Sequence, residues 1–276
     1  LIDLDELAEE GLLKPEEYRA LDWGDDPAEV DYGLLYRQRF PVLRLAVERL
    51  LADVPEDYPV FLATNGTWLP DYALFMALKN ANGGDPWWQW PRPLRFRERV
   101  ALADARRELS GEIAFWQGLQ YLFFHQWRAL KSYANGQGVG FIGDLPIYVA
   151  RDSADVWARP DQFQLDEELL PTEVAGVPPD AFTADGQLWG NPLFNWEKMA
   201  GEGYGWWIER IRRQRGAYDL LRIDHFRGFE AYYAIPYGDT TARNGRWRKG
   251  PGMDFIRAIN QNVENAAIIA EDLGFL

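Results

Sequence analysis

No cysteine occurs in the 276 residues. Disulfides, cysteine nucleophiles and cysteine-ligated metals are therefore excluded, and a reducing compartment is compatible. Histidine is almost as scarce. The two present, His125 and His225, belong to no metal-ligand spacing such as H-E-x-x-H, so no catalytic zinc and no other cofactor is expected. No run of about 18 apolar residues is present, which argues against a membrane-spanning helix. No positively charged signal segment opens the sequence, and a cytoplasmic setting without membrane contact is expected. Positive charge is in deficit, 29 Lys and Arg against 43 Asp and Glu, a net charge of −14. That field disfavours nucleic acid and is indifferent to a neutral substrate.

Aromatic residues, by contrast, are abundant: 13 Trp, 13 Tyr and 15 Phe. Their faces suit the apolar face of a sugar ring as well as they suit a core, so composition leans only weakly toward carbohydrate. A sharper signal is Tyr218–Phe229, which contains R-I-D-H-F-R-G-F. An apolar run there delivers Arg222 and Asp224 at period two, on one side of a strand. Arg222 can hold Asp224 ionised and aimed, while His225 and Arg227 add donors and Gly228 frees the backbone to turn. A structural Arg–Asp pair at a strand end is the plainer reading of R-x-D alone. A second apolar strand, Ala266–Ala270, ends in Glu271 and Asp272 before Gly274. Between them Met253 to Val263 reads as a helix, with Phe255, Ile256 and Ile259 apolar. Strand, helix, strand predicts a parallel crossover with both acidic tips at one sheet edge, the catalytic face of a barrel. Two carboxylates there suit glycoside chemistry, one attacking or stabilising an oxocarbenium-like centre and the other protonating the leaving oxygen.

These strings resemble the 4-alpha-glucanotransferases of the amylomaltase, or disproportionating enzyme, type. G-D-L-P-I-Y-V-A-R-D-S-A-D-V-W at Gly143–Trp157, V-A-G-V-P-P-D-A-F at Val174–Phe182, L-W-G-N-P-L-F-N-W at Leu188–Trp196 and W-L-P-D-Y-A-L-F-M-A-L-K at Trp68–Lys79 resemble the same family, in the same order. The resemblance implies an α/β fold, a partial (β/α)8 TIM barrel with a mainly helical inserted subdomain. Residues 1–109 would be that subdomain, and 110–276 the incomplete barrel with an aromatic active-site loop at 174–196. The sequence starts at Leu1 without Met and stops at Leu276 after an acidic strand tip, and it reads as the middle piece of a longer enzyme.

Along the chain, Asp3–Glu10 reads as a helix closing on Gly11, and Pro41 is expected to begin or kink a helix carrying Val42, Leu43, Ala46 and Leu50. Val60–Ala63 fits a short strand or a helical turn. Ser110 opens a long helix through Tyr133, on which His125 is expected as a hydrogen-bonded core residue. Phe141–Pro146 reads as a strand; Asp144 on it either joins the mouth or caps the turn before Pro146. Val174–Trp196, rich in Gly and Pro, reads as a long irregular loop, a packed cover or a substrate platform. The resemblance implies that Phe182 and Trp189 on it stack on glucose units.

The resemblance further implies a retaining double displacement on maltooligosaccharides or starch-like glucans. Glu271, held neutral by a drier setting, would protonate the glycosidic oxygen as Asp224, kept anionic by Arg222, attacks the anomeric carbon. Asp144, His225, Trp189 and Phe182 would bind substrate, with no metal. Such enzymes carry a third carboxylate in an H-D dipeptide. Here Gln126 follows His125 and Phe226 follows His225, so the chain as given is expected to lack full activity. A hydrolytic α-glucosidase or amylase relative and a glucan-binding module without turnover stand as alternatives.

Overall fold

The computed structural model describes residues 2–24, 26, 28–264 and 266–271. It forms two compact units, Leu1–Asp85 with Arg92–Leu130, and Pro86–Pro91 with Lys131–Leu276. The first is helical: α1 (Leu4–Glu9), α2 (Tyr32–Ala52), α3 (Tyr58–Thr64), α4 (Leu69–Ala81), α5 (Arg92–Arg95), α6 (Arg99–Glu108) and most of α7 (Ser110–Gly136). Asp3 caps α1 by accepting from the amides of Asp5 and Glu6, and Asp31 caps α2 through the amide of Leu34. Helix α2 thus starts at Tyr32 and carries Pro41 in its interior, so the start expected at Pro41 is overturned by the Asp31 cap. Val60–Ala63 is helical, part of α3.

Leu7, Ala46, Val47, Leu69, Ala73, Phe115 and Leu122 are buried together in this unit. Gly118 allows the close approach of α7 to α2, since a Cβ there would lie 2.6 Å from Val47 Cγ1. His125 is not the core residue expected. Its side chain is 44% exposed and lies 3.2 Å from Glu10 Oε1, a surface pair on the polar side of α7.

Among the described residues the second unit holds seven strands, β1 (Ile142–Pro146), β2 (Glu173–Val177), β3 (Gln187–Pro192), β4 (Leu220–Asp224), β5 (Ala231–Pro236), β6 (Arg246–Lys249) and β7 (Ile268–Ala270). Helices α8 (Ala154–Ala158), α9 (Trp196–Gly201), α10 (Gly205–Ala217) and α11 (Met253–Asn262) accompany them. Strands β1, β4 and β7 form a parallel sheet in that order, open among the described residues. The other four form an antiparallel sheet of order β3-β2-β5-β6.

That antiparallel sheet corrects two expectations. Val174–Trp196 is not an irregular loop throughout but contains most of β2, all of β3 and the first residue of α9. Its Gly and Pro content conceals a hairpin in which Gly176 sits so close to its partner that a Cβ would lie 2.2 Å from the Gln187 carbonyl oxygen. The path from β4 to β7 also carries the β5–β6 hairpin before α11, although β4 and β7 pair in parallel as the crossover requires.

Below the parallel sheet, Trp207 of α10, Phe229 and Phe255 of α11 are fully buried, with the two phenyl rings stacked at 4.3 Å. At the opposite end from the acidic tips, Asp219 joins the start of β4 to β1. Its Oδ2 accepts from the Phe141 amide at 2.7 Å and from Asn135 Nδ2 at 2.9 Å, and Lys131 Nζ lies 3.0 Å from Oδ1.

Candidate active site

Alternation along β4 buries Leu221 and Ile223 and turns Arg222 and Asp224 to the opposite side. In register, Asp144 lies beside Arg222 and Pro146 beside Asp224, while Arg222 lies beside Ile269 of β7. Glu271, one residue past β7, follows at the same C-terminal edge.

One guanidinium gathers all three acids. Arg222 Nη1 lies 2.5 Å from Asp144 Oδ1, and its Nη2 lies 2.8 Å from Asp224 Oδ1 and 3.1 Å from Glu271 Oε1. The hydrogen bond that Arg222 donates to Asp144, more than any other interaction, raises the Arg222 pKa. The acids differ in access: the side chains of Asp144, Asp224 and Glu271 are 65%, 47% and 15% exposed.

Glu271 corrects an expectation. It is not held neutral, because its Oε2 accepts the His225 backbone N–H at 2.6 Å and that bond depresses its pKa, with the charge of Arg222 adding to the effect against a desolvation that raises it. The geometry favouring the anion depends on His225, whose left-handed backbone (φ 53°) aims the amide at the carboxylate. This conformation is uncommon for a residue with a side chain and concentrates at sites the surrounding structure over-determines.

The His225 imidazole is lowered in pKa by burial, against the raising influence of Asp224 and Glu271. Its Nε2 is buried without a hydrogen-bond partner among the described residues. Trp189 meets the imidazole edge-on, centroids 4.9 Å apart at 88°, and donates Nε1 to Gln187 Oε1 at 2.9 Å. Tyr148 backs Trp189 at 6.2 Å and stacks on Phe194 at 5.8 Å. Tyr148 is a wall residue that no local signal marks, although it stands in the same G-D-L-P-I-Y-V string as Asp144.

The structure therefore brings Asp144, Arg222, Asp224, His225, Glu271 and Trp189 together. It does not bring in Phe182. That side chain is 95% exposed, and only its backbone is fixed, the amide donating to Asp180 Oδ1 at 2.8 Å. Asp272 and Gly274, the remainder of the second acidic motif, lie outside the described residues. A cavity of about 670 Å³ in the helical unit is lined in part by Arg44 and Glu112, which pair with each other at 2.7 Å, and by none of the residues singled out in the sequence for chemistry. No group of three or more His, Cys, Asp or Glu suited to a metal ion is found among the described residues. No helix among them is long and apolar enough to cross a membrane.

Carboxylates of adjoining parallel strands around one guanidinium, walled by aromatic rings, are groups of the class that glycosidic-bond chemistry uses. The match to known proteins is more particular. The family model for glycoside hydrolase family 77, 4-alpha-glucanotransferase, matches residues 1–276, and the chain belongs to that family. It is 48% identical over 280 residues to the 4-alpha-glucanotransferase of Thermus thermophilus, covering 100% of this chain and 55% of that protein. Against the Clostridium butyricum enzyme of the same name the identity is 44% over 276 residues, 100% and 57% of the two chains. The solved amylomaltase from Streptococcus agalactiae in complex with acarbose superposes with a TM-score of 0.96 at 41% identity, over 100% of this chain and 56% of that one. The chain thus spans about half the length of the curated relatives it matches.

Proposed function

We propose that this chain carries the reacting carboxylates of a 4-alpha-glucanotransferase, which moves α-1,4-glucan segments between maltooligosaccharides by a retaining double displacement. The observation that carries the reading is the single Arg222 guanidinium shared by Asp144, Asp224 and Glu271 at the edge of parallel strands. Asp224, half exposed and aimed by Arg222, attacks the anomeric carbon; Glu271 protonates the departing oxygen and then takes the proton of the incoming sugar hydroxyl. Asp144 and His225 bind sugar hydroxyls, Trp189 offers an aromatic face, and Phe182 closes from its exposed position once glucan arrives. The three parallel strands are part of a (β/α)8 barrel, residues 110–276 its catalytic portion and 1–109 a helical elaboration on it. Acarbose, found in the Streptococcus agalactiae structure, is a ligand proposed for this chain as well.

Because Glu271 rests as an anion, glucan binding supplies the missing condition. Sugar hydroxyls that draw Arg222 toward Asp224, together with the exclusion of water, return Glu271 to its protonated form. The test is incubation with maltotriose of the chain extended to the length of its relatives, beside Asp224→Asn and Glu271→Gln. A ladder of longer and shorter maltooligosaccharides is expected from the parent, with the rate reduced by about 10²-fold or more in each variant. Glucose and maltose as the only products would assign hydrolysis instead. Glucan binding without turnover would assign a binding module.

A further inference from the structure

Pro146 leaves the end of β1 short of a donor. It lies in register with Asp224, yet a proline nitrogen carries no hydrogen to give to β4. Its carbonyl and the next one turn to a single side chain. Arg210, on α10, donates Nη2 to the Pro146 oxygen at 2.8 Å and Nη1 to the Ile147 oxygen at 3.0 Å. The guanidinium lies over the rings of Trp206 and Trp207, 5.3 and 4.8 Å from their centroids. Burial pulls Arg210 down to about 10, with the charge of Asp155 acting against it. Desolvating a cation is costly unless its donors are used, and here both sets of donors converge on two consecutive carbonyls. Two residues before them stands Asp144, 2.5 Å from Arg222, and one residue after them Tyr148, which backs Trp189.

We propose that Arg210 is a positioning residue for the carboxylate mouth: its clamp on the Pro146 and Ile147 carbonyls sets where Asp144 meets Arg222, and so how Arg222 is divided among Asp144, Asp224 and Glu271. The inference rests on the reading of that mouth as the reacting centre. With the clamp gone, the β1 end moves, Asp144 releases Nη1, and Arg222 settles on the remaining two acids. A displacement of this order at a reacting centre costs about 10- to 100-fold in rate.

A double-variant cycle tests it. Arg210→Met and Asp144→Asn are compared with the variant carrying both, and Arg210→Lys, which retains the charge, runs the same cycle should the Met variant fail to fold. Maltotriose transfer is read as kcat and KM separately, and each protein is also melted. Arg210→Met is expected to lower kcat by about 10-fold or more while leaving KM within about 2-fold, with Arg210→Lys intermediate. The double variant should be no slower than Asp144→Asn alone, because both changes break one linkage. Losses that multiply, or an Arg210→Met loss confined to Tm with kcat per folded molecule unchanged, would overturn the proposal. A parent with no transfer activity would sink the catalytic reading by itself; in that event the melts decide, a double variant whose Tm loss is the sum of the singles overturning the linkage and a smaller loss supporting it.

Discussion

Arg222 divides its two terminal nitrogens among three acids, Nη1 facing Asp144 and Nη2 facing both Asp224 and Glu271. Glu271 carries the clearest consequence. Its folded pKa is depressed by the His225 amide and by Arg222, so in the free protein the proton needed for a general acid is present only at low pH. The pH dependence of kcat/KM reports the free protein and that of kcat the bound complex. If glucan restores the proton, the alkaline limb of kcat/KM lies at lower pH than that of kcat. The reverse order, in initial-rate profiles with maltotriose, would show that Glu271 is protonated before binding and that the depressed state is irrelevant to turnover.

At the scale of elements, two contacts set measurable stabilities. Gly118 sits where α7 presses on α2, and its missing Cβ is space already occupied by Val47. Gly118→Ala should gain up to about 1 kcal/mol of helix propensity and lose about 1–3 kcal/mol to overpacking, for a net destabilisation read in a denaturant melt. An unchanged or raised midpoint would mean that Val47 swings aside at no cost. Asp219 ties β4 to β1, and the hydrogen bond it accepts from the Phe141 amide, with those from Asn135 and Lys131, lowers its pKa to about 2 from 3.8. A depressed carboxyl stabilises the folded state above its unfolded pKa and loses that contribution as pH falls through the folded one. Asp219→Asn should therefore lower Tm near neutral pH, with the gap to the parent narrowing from about pH 4 and closing toward pH 2. A gap that stays constant over that range would remove the charge from the explanation.

For the molecule as a whole, β1 and β7 each pair on one side only among the described residues, and edges of this kind template association. The chain by itself is expected to self-associate as concentration rises, measured by light scattering, and to melt more sharply when extended to the length of its relatives. A monomer of the isolated chain with one sharp, concentration-independent transition would overturn this expectation.

Much of the site was legible along the chain because period-two geometry is local: Arg222 and Asp224 had to share a face of β4, and an apolar strand ending at Glu271 had to bring its acid to a sheet edge. The long helix from Ser110 and the strand before Pro146 followed from hydrophobic spacing in the same way. What failed was whatever depended on partners distant in sequence. The β2–β3 hairpin was hidden because its glycines serve close backbone approach, which no local propensity records. His125 sits on an aromatic-rich helix, but only the packing of that helix decides which side meets solvent. Amino-acid order by itself determined the acids, their spacing and the family they resemble. Tertiary structure alone decided that one arginine serves all three acids, that a backbone amide from a left-handed histidine holds Glu271 ionised, and that Arg210 reaches from α10 to the end of β1, because each of these needs groups tens of residues apart to meet within hydrogen-bond distance.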